Sequence, residues 1–111
     1  MSQTEESKIK KLVRELLLKY DIQPASKAGT FTSAAGWYFW AASSGFGTKG
    51  VPDAIGHYHG RFFGIETKAP GKKPTGFQLL QIEALRASGV EVFVVDGEES
   101  LRKFEEWLEL A

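Results

Sequence analysis

The chain has 111 residues, 42% of them apolar and 13% aromatic, with fourteen basic side chains balanced by fourteen acidic ones and no cysteine. A chain of this size closes one hydrophobic core and has no room for a second, so residues 1–111 are read as a single domain whose functional site shares the scaffold that holds the fold. Eight Phe, three Trp and three Tyr exclude intrinsic disorder, the missing cysteine excludes disulfides and thiolate metal sites, and no apolar run reaches the roughly 20 residues of a membrane span or forms a signal-peptide core.

Ile9, Leu12, Val13, Leu16, Leu17 and Tyr20 recur at helical spacing, predicting an amphipathic helix over residues 4–20. Residues 22–36, rich in Pro, Ser, Gly, Thr and Ala, read as a connecting loop with a short extended piece around Phe31. Trp37-Tyr38-Phe39-Trp40-Ala41-Ala42 lacks helical periodicity and predicts a strand covered on both faces, a core element rather than a base-stacking platform. Residues 43–50 form a glycine-rich loop.

Residues 53–58 and 61–68 flank His59-Gly60, the two-residue separation of a β-hairpin. Beyond the loop 69–74, Phe77, Leu80, Ile82 and Leu85 predict a helix over residues 75–88 that Gly89 stops. Glu91-Val92-Phe93-Val94-Val95 reads as a buried strand, and residues 100–110 as a last helix with Leu101, Phe104, Trp107 and Leu108 on its apolar side. Neutrality conceals an uneven distribution. Asp96, Glu98, Glu99, Glu105, Glu106 and Glu109 outweigh Arg102 and Lys103, so the acidic end hides a mildly basic body.

With His59 and Gly60 as turn residues, Tyr58 pairs with Arg61 and Asp53 faces Glu66. Directly opposed Cβ atoms lie about 4.5–5.5 Å apart, where like charges destabilise a sheet unless something positive lies between them. Lys68, two residues beyond Glu66, points to the same strand face. Two carboxylates with backbone and water oxygens suit Mg²⁺, a hard ion that can activate water and neutralise charge on a phosphoryl group. The pattern points to metal-assisted phosphodiester hydrolysis. Spacing alone equally allows unrelated strand-end charges, with Lys68 paired to one of them.

Gly50-Val51-Pro52-Asp53, twelve intervening residues, Glu66-Thr67-Lys68 and then Gln78 resemble the PD-(D/E)XK nuclease superfamily, and within it the stand-alone VRR-NUC (virus-type replication-repair nuclease) domain. Pro52-Asp53 supplies the PD element, Glu66-Thr67-Lys68 the ExK element, and Gln78 the glutamine early in the following helix. The resemblance covers residues 4–96. It implies an α/β restriction-endonuclease-like αβββαβ core, a mixed, mainly four-stranded sheet flanked by helices. It implies a Mg²⁺- or Mn²⁺-dependent DNA endonuclease with Asp53, Glu66 and the Thr67 backbone carbonyl as metal ligands, Lys68 acting on the nucleophilic water, and a direct role for Gln78. A glutamate from the first helix joins such sites. Glu6 is the candidate, since Ile9, Val13 and Leu17 follow it at +3, +7 and +11, and Glu15 is its rival. By analogy with Holliday-junction resolvases, branched DNA is the substrate class and a homodimer the active form. The expected setting is the cytoplasm of a bacterial or phage-infected host cell. A non-catalytic DNA-binding module on the same fold, and an enzyme acting on a small phosphoester, are the alternatives.

Thr75-Gly76-Phe77-Gln78 also fits a capping box, which gives Gln78 a structural role compatible with the catalytic one. Gly45-Phe46-Gly47-Thr48-Lys49-Gly50 matches the dinucleotide fingerprint, but Val51-Pro52 leads into a strand where the fingerprint needs a helix. A loop beside the metal patch that lets Lys49 touch a phosphate accounts better for these residues. Lys72 and Lys73 are candidates for DNA backbone contacts. His57 and His59, without other His or any Cys, are too few for a zinc site; His59 is read as a turn residue and His57 as a lesser candidate for substrate contact.

Overall fold

A computed structural model describes residues 4–30, 33–41 and 48–110 of the chain. Thr4 opens the first helix, its Oγ1 accepting the Ser7 backbone N–H at 3.0 Å. This helix, α1 (Glu5–Lys19), buries Ile9, Val13, Leu16 and Leu17 along one stripe. The strands that follow form a single five-stranded sheet: β1 (Ile22–Pro24), β2 (Gly36–Trp40), β3 (Ala54–Tyr58), β4 (Arg61–Thr67) and β5 (Glu91–Val95), ordered β1-β2-β3-β4-β5. β1 runs parallel to β2, β3 is antiparallel to both its neighbours, and β5 is parallel to β4. That last pairing requires a crossover, which α2 (Gly76–Ala87) supplies; α3 (Glu98–Glu109) closes the described chain. The α/β class and the mixed sheet agree with the sequence reading, and the arrangement is compatible with a restriction-endonuclease-like core. Among the described residues no helix is long and apolar enough to cross a membrane.

The His59-Gly60 turn sets the register of the central hairpin. His59 (φ 50°) and Gly60 (φ 81°) both take positive φ, as a type I′ turn requires. Tyr58 pairs with Arg61 and the ladder runs to Ala54 opposite Ile65. One sheet face carries Tyr38, Ala54, Phe63 and Ile65, which form the main core with α1, Val95, Phe104 and Leu108. Phe63 and Phe93 lie 5.1 and 5.0 Å from the Phe104 ring centroid. The opposite face carries Glu66, and α2 buries Ile82.

Four expectations change. The sheet has a fifth strand, β1, where a loop was expected; Ile22 is fully buried there, and Pro24 is tolerated because an edge strand need not donate on both sides. Residues 25–30, expected as loop, form a 3₁₀ helix (Ala25–Thr30), and the extended piece expected at Phe31 lies outside the described residues. β2 is not covered on both faces: Tyr38 is buried, but Phe39 is 40% exposed, and Ala42 at the end of that run lies outside the described residues. α3 begins at Glu98, two residues before the predicted start, because Glu98 and Glu99 favour a helix N-terminus electrostatically. The glycine-rich segment expected over 43–50 is described only from residue 48 onward, so Gly45 and Gly47 of the fingerprint match lie outside it.

Candidate metal-binding active site

The hairpin register brings two carboxylates to one end of the sheet. Asp53 sits in a bend immediately before β3, held there by its backbone carbonyl, which accepts the Ala41 N–H at 2.8 Å. Its Oδ2 accepts from the Thr67 backbone N–H at 2.7 Å and from the Thr67 hydroxyl at 2.8 Å. The Asp53 side chain thus takes the place of strand backbone at the end of β4, and two donors fix the carboxylate. The N–H and C=O of one strand residue point to the same side, so the Thr67 carbonyl also lies on the Asp53 side.

Glu66 is only 2% exposed. Its Oε1 meets Gln78 Nε2 at 3.4 Å, and its Oε2 is buried with no hydrogen-bond partner among the described residues. Burial, reinforced by the hydrogen bond that a protonated Glu66 can donate to Asp53 and by the negative charge of Asp53, pushes the Glu66 carboxyl up from its ordinary 4.5 to about 8; Lys68 pulls it down and Glu6 pushes it up by smaller amounts. A buried carboxylate with one orphaned oxygen beside a second carboxylate is costly unless a proton or a cation is present. All the donors gathered here are oxygens, which fits a hard divalent cation such as Mg²⁺ or Mn²⁺ completed by water.

The neighbouring side chains come from three segments. Lys68 follows β4 directly, its backbone N–H donating to the Val95 carbonyl at 3.0 Å. It joins no ion pair within 4.0 Å among the described residues, so it is not locked to either carboxylate. Gln78 forms the anticipated capping box and also reaches Glu66. Its Oε1 accepts the Thr75 N–H at 2.8 Å and its N–H donates to Thr75 Oγ1, a complete capping box, while its Nε2 turns to Glu66. Gly50 (φ 82°) packs so closely on the start of α2 that a methyl group would land on the Phe77 carbonyl. That contact carries Lys49 to within 5.8 Å of the Phe77 ring centroid. Lys72 and Lys73 are exposed in the short connection from Lys68 to Thr75.

Glu6 is partly placed. It lies in the first turn of α1, its charge reaches Glu66 whereas that of Glu15 does not, and it also pairs with Lys10 at 4.0 Å. Among the described residues no three His, Asp or Glu side chains gather closely enough to hold one ion together, so Glu6 stands outside the Asp53–Glu66 pair. His57 is four residues up the strand from Asp53, about 13 Å away by strand rise, and packs on Phe62 at 6.0 Å; His59 is in the turn. Neither joins the carboxylates. The sequence reading missed the Thr67 hydroxyl, which assigned Thr67 by its carbonyl alone, and the docking of Gly50 on α2. A β-branched hydroxyl between Glu66 and Lys68, and a glycine three residues before Asp53, were the available signals.

No family model matches the chain. A phage protein is similar over part of its length: "Putative nuclease p44" of Acyrthosiphon pisum secondary endosymbiont phage 1 is 41% identical over 54 residues, which are 48% of this chain and 58% of that protein. The chain therefore matches little more than half the length of that relative.

The Glu66 carboxyl gives a pH signature. Between pH 4.5 and 8 the folded, metal-free protein keeps a proton that the unfolded chain releases, so stability falls as pH rises through this window. Thermal unfolding in EDTA from pH 5 to 9 should show that fall in the wild type and a flatter profile in Glu66→Gln, with added Mg²⁺ restoring the wild type most at the alkaline end. Equal slopes in the two proteins would contradict the placement of Glu66.

Proposed function

We propose that the chain is a Mg²⁺- or Mn²⁺-dependent DNA endonuclease of the PD-(D/E)XK superfamily, of the VRR-NUC type. The observation that carries this reading is the gathering of Asp53, Glu66, Thr67 and Lys68 at one end of the β3–β4 hairpin, with a buried Glu66 oxygen lacking a partner. The similarity to a phage protein named as a nuclease supports it. Asp53, Glu66 and the Thr67 carbonyl would hold the ion, which when bound lowers the pKa of water and offsets charge building on the phosphate. Thr67 fixes the Asp53 carboxylate, and Gln78 ties Glu66 to the start of α2. Lys68, which joins no ion pair among the described residues, orients the attacking water and stabilises the negative charge of the transition state. Lys49, Lys72 and Lys73 hold the DNA backbone on either side. A module that binds without chemistry anticipates a dispersed site; the gathered acidic pair with Lys68 beside it supports the enzyme.

Branched DNA as substrate class follows from the resemblance, as does the cytoplasm of a bacterial or phage-infected host cell. Labelled linear, flapped and four-way DNA incubated with Mg²⁺, Mn²⁺ or EDTA tests the activity. Cleavage should require the metal and fall by about a hundredfold or more in Asp53→Ala and Lys68→Ala. No cleavage of any substrate would defeat the enzyme reading, and full activity in both variants would defeat the site.

A homodimer completes the proposal. Phe77 and Leu80, 62% and 65% exposed, share an outward stripe of α2 with Ala84 and Ala87, an apolar surface suited to a second copy related by a twofold axis. Sedimentation should give a dimer that Leu80→Glu converts to monomer. A wild-type monomer at micromolar concentration, or an undisturbed dimer in Leu80→Glu, would contradict this assignment.

A further inference from the structure

The strand β1 stops at Pro24, opposite Tyr38, so Phe39 and Trp40 extend β2 past the last β1 residue available to pair with them. The chain turns there into the 3₁₀ helix. Pro24, Ala25, Ser26, Phe39 and Trp40 line the resulting notch, a cavity of about 320 Å³, within the range of small-molecule sites. Of its two aromatic walls, Trp40 packs partly against the core, while Phe39 is 40% exposed. Trp40 Nε1 is a buried donor with no acceptor among the described residues, a group that is costly to leave unpaired. The Arg14 guanidinium lies 5.9 Å from the Trp40 ring centroid and adds positive charge.

The notch is at the same sheet end as the carboxylates. Trp40 pairs with Ala54, and the next residue, Ala41, donates to the Asp53 carbonyl at 2.8 Å. Two strand spacings separate β1 from β3, so the notch lies about 10 Å from Asp53. That is the reach of roughly three nucleotides along a strand that rises about 3.4 Å per base when stacked.

We propose that this notch is a subsite for one unstacked nucleobase of the DNA strand whose phosphate lies at Asp53 and Glu66. The identity of the ligand rests on the nuclease reading. Every base has a π face to lie on Phe39, so the subsite tolerates any sequence. A base held in a duplex cannot enter a notch at a sheet edge without leaving its stack. The subsite therefore selects DNA with unpaired nucleotides beside the scissile phosphate, as at flaps, forks and junctions.

The test uses a single-stranded oligonucleotide carrying 2-aminopurine, whose fluorescence is quenched by stacking, titrated with the intact protein in EDTA so that no hydrolysis is involved. The wild type should quench it, with about tenfold weaker binding in Phe39→Ala, the scale of one lost base–aromatic stack. Phe62→Ala removes another exposed aromatic of the same sheet face, outside the notch, and should bind as the wild type does. Wild-type quenching by Phe39→Ala, or an equal loss in Phe62→Ala, would overturn the subsite. Phe39-dependent quenching by a protein that cleaves no DNA would uphold the subsite and remove the nuclease reading, so the two fail separately.

Discussion

The burial of the Glu66 carboxylate against Asp53 is the constraint on which the rest of the site depends. An acidic side chain that is 2% exposed and has one oxygen with no partner among the described residues opposes the folded state whenever it is ionised. A larger core elsewhere can outweigh that cost, but only a proton or a cation placed between the two carboxylates removes it. The surroundings restrain the pair without satisfying it. Thr67 gives two hydrogen bonds to Asp53, and Gln78 gives one long contact to Glu66. The side chains so restrained present oxygens, with Lys68 beside them.

The fold makes that arrangement rigid by ordinary means. A type I′ turn fixes the β3–β4 register, and the parallel β4–β5 pairing forces a crossover helix whose N-terminus returns to the end of β4. The capping box of that helix then orients Gln78 through a bond unrelated to the site. Gly50 lets the segment before Asp53 press on the same helix start. The aromatic cluster of Phe63, Phe93, Phe104 and Trp107 anchors the hairpin and β5 from the opposite face.

How much of this was legible in the sequence depended on whether a local signal existed. The hairpin register was, because a two-residue turn leaves one pairing and parity then places Asp53 opposite Glu66. The capping box was too, because its residues and spacing are contiguous. Strand β1 was not: three residues including a proline carry no periodicity, and tertiary pairing with β2 alone makes them a strand. The run Trp37 to Trp40 gave its element but not its burial, since hydrophobicity cannot reveal that β1 ends at Pro24 and leaves Phe39 uncovered. The Thr67 hydroxyl was hidden by the same logic, as its contact with Asp53 exists only once the bend before β3 is formed. Glu6 shows the limit of periodicity: its stripe brings its charge to bear on Glu66, yet spacing could not say whether it enters the pair.

The central claim is that Asp53 and Glu66 together hold a divalent cation. Titrating Mn²⁺ into the protein while following the electron paramagnetic resonance signal of the free ion tests this without substrate or turnover. The account predicts a single class of bound Mn²⁺ that Mg²⁺ displaces and that both Asp53→Asn and Glu66→Gln abolish. Binding that survives both substitutions, or no binding by the folded wild type near neutral pH, would contradict it.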